Sequence, residues 1–201
     1  MAVPALVYAS LTPTFNQTIN AGTLSANIYQ SGDTTPVTAP TVAFSAVNYS
    51  FQCQTSTGTL GDSNDLLNVT NLASGINTWN IALAATNGSA ATWTSGSNTY
   101  SYNNSAGTPA GCTSGQMTVN PATGVVTLDC NSQCTANNST VSLGSSVALS
   151  STGTDSATLL SDSAGTAWEG YVTGISISQT IPALTPSGSY TLPMTITLTH
   201  T

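Results

Sequence analysis

The chain lacks every permanently basic side chain: its 201 residues include no Lys or Arg, against seven acidic residues and one His. Ordinary soluble domains are about 25% charged, whereas this chain is 3% charged and has a formal net charge of −7. Nucleic-acid binding needs cationic side chains against phosphate, so it is excluded for this chain by itself. The missing Lys also excludes a phosphate-binding loop of the Gly-Lys-Ser/Thr type and a polybasic membrane anchor.

Motifs that would indicate catalysis are scarce as well. The nearest match to a hydrolase Gly-x-Ser-x-Gly turn has Thr113 at the nucleophile position. A Ser-His-acid triad could use only His200, the penultimate residue. Three acids could supply paired carboxylates for acid–base chemistry, but without a basic partner: Asp155, Asp162 and Glu169. We therefore expect no catalytic residue, no cofactor and no enzymatic activity.

One loop is a weak candidate for a cation. Asp62 and Asp65 enclose a Ser and an Asn, and Ca²⁺ accepts closely spaced oxygen ligands from a single loop. The same residue types are common in turns between strands. We favour the turn, which leaves no metal expected and this pair of aspartates as the weak Ca²⁺ candidate.

The chain has an even set of four cysteines, Cys53, Cys112, Cys130 and Cys134. Four cysteines allow three pairings, and disulfides are the ordinary interpretation in an oxidising compartment. A zinc site is the competing interpretation, although only one pair is closely spaced and no suitable histidine is present. We predict a tight local disulfide between Cys130 and Cys134 and a long-range disulfide between Cys53 and Cys112. Both agree with a secreted protein, extracellular or at the cell surface.

Patterns typical of strands dominate the chain. Apolar and polar residues alternate at 79–83, 126–130 and 190–198, as in half-buried strands. Further strands are predicted at 14–29 (with a kink at Gly22), 40–54, 66–72, 116–120, 140–143, 146–150 and 170–181. Residues 120–124 have the composition of a hairpin turn. About ten short strands at this spacing predict an all-β fold, an antiparallel β-sandwich.

The aromatic residues fall into two groups. Trp79 and Trp168 lie in alternating runs and are expected in the core. Trp93 lies in a Ser- and Thr-rich stretch and is either a hairpin residue or an exposed aromatic. Sugar-binding surfaces combine aromatic side chains with a few polar groups, and Trp93, Tyr100 and Tyr102 form the one loose cluster of that kind.

The N-terminal segment has an alternation of its own. The odd positions from 3 to 11 are all apolar: Val3, Ala5, Val7, Ala9 and Leu11. Such a strand can place one face into a groove of another molecule, and Pro4 suits an edge or a strand start. We expect residues 1–14 to form an extended donor strand and residues 15–201 to form one sandwich domain. A first strand paired within its own sandwich is the alternative.

The last third of the chain carries a recognisable pattern. Residues 174–183, Gly-Ile-Ser-Ile-Ser-Gln-Thr-Ile-Pro-Ala, precede Pro186-x-Gly188-x-Tyr190 and a strand of alternating Thr and apolar residues. This pattern resembles the secreted surface proteins of candidate-phyla (Patescibacteria-type) bacteria, and the likeness spans roughly residues 15–199. The closing part is also similar to spore-coat-U-type pilins and, more weakly, to WxL-type cell-wall domains, because Trp168 is followed by Glu-Gly.

These likenesses imply different functions. The pilins imply subunits that polymerise by strand donation, with identical subunits as partners. The WxL domains imply modules that hold a wall polysaccharide, with a surface glycan as partner. We expect a structural subunit of an extracellular filament, a pilus or fibre, assembled by β-strand donation. A non-catalytic wall- or glycan-binding module is the alternative, and neither function involves nucleic acid or membrane insertion.

Overall fold

The computed structural model describes residues 17, 22–32, 35–63, 65–72, 78–129, 140–165 and 167–201. Within these ranges the chain forms strands and two short 3₁₀ turns, Gly88–Ala90 and Pro121–Thr123. The predicted donor strand, the pair Cys130 and Cys134, and the boundary at residue 14 lie outside the described residues.

The described part of the chain contains fourteen strands, rather than about ten, and all of their pairings are antiparallel. In chain order they are β1 Leu24–Tyr29, β2 Gln54–Leu60, β3 Leu66–Asn71, β4 Trp79–Ala85, β5 Thr92–Ser95, β6 Asn98–Ser101, β7 Met117–Asn120, β8 Val125–Leu128, β9 Val141–Leu143, β10 Val147–Ala148, β11 Ser156–Asp162, β12 Trp168–Thr173, β13 Ile175–Ile181 and β14 Met194–His200. The predicted all-β antiparallel sandwich is confirmed.

Three four-stranded sheets and one hairpin make up the sandwich. The first sheet has the order β1-β3-β12-β8, the second β10-β7-β13-β2 and the third β14-β4-β11-β9, while β5 pairs with β6. Each sheet has two end strands without a second neighbouring strand among the described residues: β1 and β8, β10 and β2, and β14 and β9. Of these edge strands, β1 and β14 contribute to the site described below.

A bent two-stranded ribbon connects the first two sheets. Strand β12 continues into β13 through Gly174, and β2 continues into β3 through residues 61–65. Gly61 and Gly174 have φ of +88° and +77°, a backbone region that glycine enters without steric cost. The Gly174 N–H donates to the Gly61 carbonyl at 3.1 Å, which closes the bend.

The two ends of this ribbon orient the molecule. At one end Gln54 pairs with Ile181; we call it the cystine end, because Cys53 precedes Gln54. At the other, Trp168 pairs with Asn71; we call it the tryptophan end. Trp79 of β4 packs there on Trp168, with ring centroids 5.9 Å apart. Both tryptophans are buried, as the sequence predicts.

Two local predictions are wrong. Residues 40–53 do not form a strand: Phe44 makes a single bridge to Gly58, and the ladder begins only at Gln54. The alternation there reflects side chains that reach the core from an irregular edge segment. Residues 120–124 do not form a hairpin turn, because β7 and β8 belong to different sheets. Buried Pro121 starts a 3₁₀ turn that carries the chain from one sheet to the other.

The predicted long-range disulfide is present. Cys53 and Cys112 are bonded across a sequence separation of 59 residues, with their Cα atoms 5.3 Å apart, a usual Cα separation for a disulfide. The bond joins the irregular segment before β2 to the loop between β6 and β7. It therefore fixes two loops at the cystine end to each other.

Removal of this disulfide should destabilise the protein. Closing a loop of about 60 residues restricts the unfolded chain and contributes about 4 kcal/mol in the chain-entropy model. The double variant Cys53→Ala/Cys112→Ala should lose a free energy of unfolding of that order, measured by denaturant titration with circular dichroism. The control, Cys130→Ala/Cys134→Ala, would open only the much shorter loop predicted from the sequence and should cost less. Equal unfolding midpoints for the first variant and the wild type would contradict the structural role of the bond.

Candidate functional site

The described structure contains an apolar groove of about 490 Å³. Its walls come from the edge strands β1 and β14 and from the segment around residue 42. The lining side chains are mostly aliphatic or aromatic: Ile28, Pro40, Val42, Phe44, Leu60, Leu83, Trp93, Met117, Ile177, Tyr190, Leu192, Pro193, Met194 and Ile196, with Thr41, Thr191 and Asp65. A concave, largely apolar site with few polar groups is the usual form of a binding site.

Strand β14 forms one wall of the groove and has a free outer edge. It pairs with β4 from Met194 opposite Ala85 to His200 opposite Trp79, and no described strand pairs with its other side. Its apolar side chains are half-buried and its threonines are exposed, in strict alternation. An edge strand of this kind offers unpaired N–H and C=O groups to another strand.

Strand β1 forms part of the opposite wall. All six of its residues are half-buried, and Leu24, Ala26 and Ile28 pack against the core from this side. Its outer edge is partly occupied, because the Val37 N–H donates to the Ile28 carbonyl at 2.8 Å. The free backbone edge of the groove is therefore that of β14.

The floor of the groove is the sandwich core itself. Leu60, Ile177 and Met117 are almost fully buried and also line the recess. Trp93 is held beside them because its Nε1–H donates to Gln179 Oε1 at 2.9 Å, and its ring meets Phe44 edge-on at 5.3 Å. An apolar side chain that enters the groove would extend an existing core.

Asp65 is the one charged side chain among the described residues that line the groove. It is only 3% exposed. Burial, and next the nearby carboxylate of Asp62, raise the pKa of Asp65, while a hydrogen bond from the backbone N–H of Thr41 acts in the opposite direction. The described residues bring no third metal-ligating side chain to Asp62 and Asp65, so the weak Ca²⁺ candidate gains no ligand.

The aromatic cluster expected from the sequence belongs to the core. Trp93 lies on β5 of the hairpin, which decides between the two interpretations of this residue, and is buried. Tyr102 is fully buried, and its hydroxyl donates to Asp155 Oδ1 at 2.6 Å. Burial, and next the Asp155 carboxylate, raise the pKa of Tyr102. Tyr100 stacks on Trp93 at 6.1 Å and meets Tyr190 at 5.1 Å.

The other predicted site residues lie elsewhere. Cys53 and Cys112 do not line the groove, and the apolar donor positions from 3 to 11 are outside the described residues. Sequence reasoning missed Asp65 as a groove residue. It also missed the groove itself, although the alternation at 190–198 identified the strand that forms one wall.

In the described ranges no helix is both long and apolar enough to cross a membrane. No family model, curated protein or solved structure matches this chain.

Replacement of Asp65 by Asn should change how stability depends on pH. Because the pKa of Asp65 is raised by folding, its favourable contribution is present below the unfolded pKa and is lost as pH rises through the folded pKa. Relative to Asp65→Asn, the wild type should therefore lose free energy of unfolding from about pH 4 upward. Denaturant titrations at several pH values measure this difference. Parallel curves for wild type and Asp65→Asn would refute the argument.

Proposed function

We propose that the protein is a structural subunit of an extracellular filament, in which residues 1–11 of one copy lie in the groove of the next. The observation that carries the proposal is the free outer edge of β14 beside an open apolar groove. A strand added there would complete the ladder of the third sheet and cover the core at the same time.

The N-terminal segment has the pattern that this position requires. In an added strand, alternate side chains point to opposite faces, and the five apolar odd positions from 3 to 11 would all face the groove. The segment can extend over about 36 Å, whereas the seven residues of β14 span about 23 Å. The donor is therefore long enough to cover the whole edge.

The energetics favour an apolar donor. Full burial of a Val or Leu side chain contributes about 1.5–3 kcal/mol, and each backbone hydrogen bond adds about 0.5–1.5 kcal/mol. Residues 1–11 contain no charged side chain, so insertion desolvates no charged side chain of the donor. On the acceptor side, Asp65 is the one acidic side chain among the described residues that line the groove.

Strand donation produces an open chain of subunits. Donor and acceptor are different surfaces of one molecule, so the contact is heterologous and repeats without closing unless the rotation happens to form a ring. The small number of charged residues, 3% of the chain, limits local repulsion between stacked subunits.

Two further observations support an extracellular filament. A disulfide between Cys53 and Cys112 fits an oxidising compartment. The segment whose pattern is similar to spore-coat-U-type pilins supplies Tyr190, Leu192, Met194 and Ile196 to the groove. The glycan-binding alternative has less support, because Trp93 and Tyr102 are buried.

Substitution of one apolar donor residue should prevent assembly. Val7→Asp places a charge among the groove side chains and should weaken subunit association at least tenfold. The matched control Ser10→Asp introduces the same charge at a position that faces away from the groove, and should polymerise like the wild type. Light scattering and negative-stain electron microscopy of the purified chains measure the extent of assembly.

Three results would contradict this proposal. One is wild-type filament formation by Val7→Asp, and another is loss of assembly by Ser10→Asp alone. The third is a large drop in the unfolding free energy of monomeric Val7→Asp, which would place the segment inside its own sandwich.

A further inference from the structure

We infer that an exposed apolar surface at the cystine end of one subunit contacts the sandwich domain of the copy that donates its strand to that subunit. The donating copy makes this contact with its tryptophan end, which carries Leu72. This surface, which we call the apolar cap, consists of Val47, Tyr49, Phe51 and Leu184. The inference rests on the proposed function and identifies a second, separate contact between the same two subunits.

The apolar cap is unusually exposed for side chains of this kind. Val47 is 39% exposed, Tyr49 58%, Phe51 80% and Leu184 51%. The four residues are neighbours, because the rings of Tyr49 and Phe51 are 6.0 Å apart and the Leu184 N–H donates to the Ser50 carbonyl at 2.9 Å. Contiguous exposed apolar side chains typically mark an interaction surface.

Leu184 is held in an unfavourable backbone conformation. Its φ is +61°, and no other described non-glycine residue has a positive φ. The surrounding turn is fixed by the Thr185 hydroxyl, which donates to the Pro182 carbonyl at 2.8 Å. A glycine would adopt this conformation without strain, yet the turn presents a leucine to solvent. Such local strain at an exposed side chain points to a function for that side chain.

The apolar cap lies beside the groove. A small cleft of about 130 Å³ next to the cap is lined by Val47, Tyr49 and Tyr190, and Tyr190 also lines the groove. No acidic residue occurs at positions 44–57 or 170–201, so this part of the surface offers an uncharged contact. A subunit that reaches the groove from this side therefore meets the cap.

The direction of the donor strand brings the donating copy to this side. β14 runs towards the tryptophan end, where His200 pairs with Trp79 and Trp79 packs on Trp168. All described strand pairs are antiparallel, and antiparallel pairing is slightly the more stable. A donor antiparallel to β14 has residue 1 near the tryptophan end and residue 11 near the cystine end.

The length of the tether then selects the contacting surface. Residues 12–21 reach at most about 35 Å. In the donating copy they lead to Gly22, whose N–H donates to the Leu72 carbonyl at 3.0 Å. Leu72 is 56% exposed and follows Asn71 at the tryptophan end. This tether keeps the tryptophan end of the donating copy within about 35 Å of the end of the donor strand, a distance at which its exposed Leu72 can pack on the apolar cap head to tail.

Two measurements on full-length chains test this inference. The first is the critical concentration for polymerisation of Phe51→Ser and Leu184→Gly, with Val125→Ser as the control; Val125 is 59% exposed but lies on β8, outside the cap. The second is the affinity of a synthetic peptide of residues 1–11 for proteins that carry the same substitutions together with Val7→Asp, which prevents polymerisation. This affinity reports on the groove alone.

We expect both cap variants to raise the critical concentration about tenfold and to leave the peptide affinity unchanged. Leu184→Gly should remain at least as stable as the wild type, because glycine relieves the strained conformation. A wild-type critical concentration in both cap variants, or an equal effect of Val125→Ser, would overturn the inferred contact at the apolar cap. Peptide binding would in that case still support strand donation into the groove. Failure of the peptide to bind would overturn the proposed function and the cap with it.

Discussion

The outer edge of β14, with which no described strand pairs, is the constraint on which the rest of this account depends. Proteins normally cover an exposed edge strand or interrupt it with lysine, proline, a bulge or an inward-pointing charge. β14 has none of these within its seven residues, Met194–His200, and the chain has no lysine to place there. Within the described part of the chain, the sandwich is therefore open along this edge, where half-buried aliphatic side chains of β14 face the groove.

The composition of the chain is consistent with such an assembly. Because the chain is 3% charged, its outward strand positions are filled largely by threonine, serine and asparagine, which the pleated surface of a strand accommodates. In the proposed filament, closely stacked subunits would meet with little local repulsion. Asp65 is the exception, since it lines the groove and its pKa is raised by burial and by Asp62. The charge state of this one residue links the groove to pH.

Periodicity predicted those strands that bury one face. The alternations at 79–83 and 190–198 correspond to β4 and β14, and both tryptophans expected in the core are there. The run at 170–181 is divided by the bend at Gly174, which periodicity does not reveal. The Ser- and Thr-rich strand β11, with a register shift between Thr158 and Leu160, gave too weak an alternation to be predicted.

The candidate site could be predicted only in part, because alternation tells which side chains share a face but not which strands are neighbours. The 120–124 turn looked like a hairpin for that reason, although β7 and β8 lie in different sheets. By contrast, the pairing of Cys53 with Cys112 could be predicted from the spacing of the four cysteines, because Cys130 and Cys134 form the one closely spaced pair. The meeting of β1, β14 and the segment around Phe44 at one groove depends on long-range topology.

Hydrogen exchange at the backbone amides of β14 tests the central claim most directly. Mass spectrometry would compare assembled wild-type protein with the full-length Val7→Asp chain under identical conditions. If a donated strand pairs with the free edge, exchange within residues 194–200 should slow markedly on assembly. Addition of the peptide of residues 1–11 to the Val7→Asp protein should slow exchange in these residues at least as much. Unchanged exchange at β14, with new protection confined to another edge such as β8, would contradict strand donation into this groove.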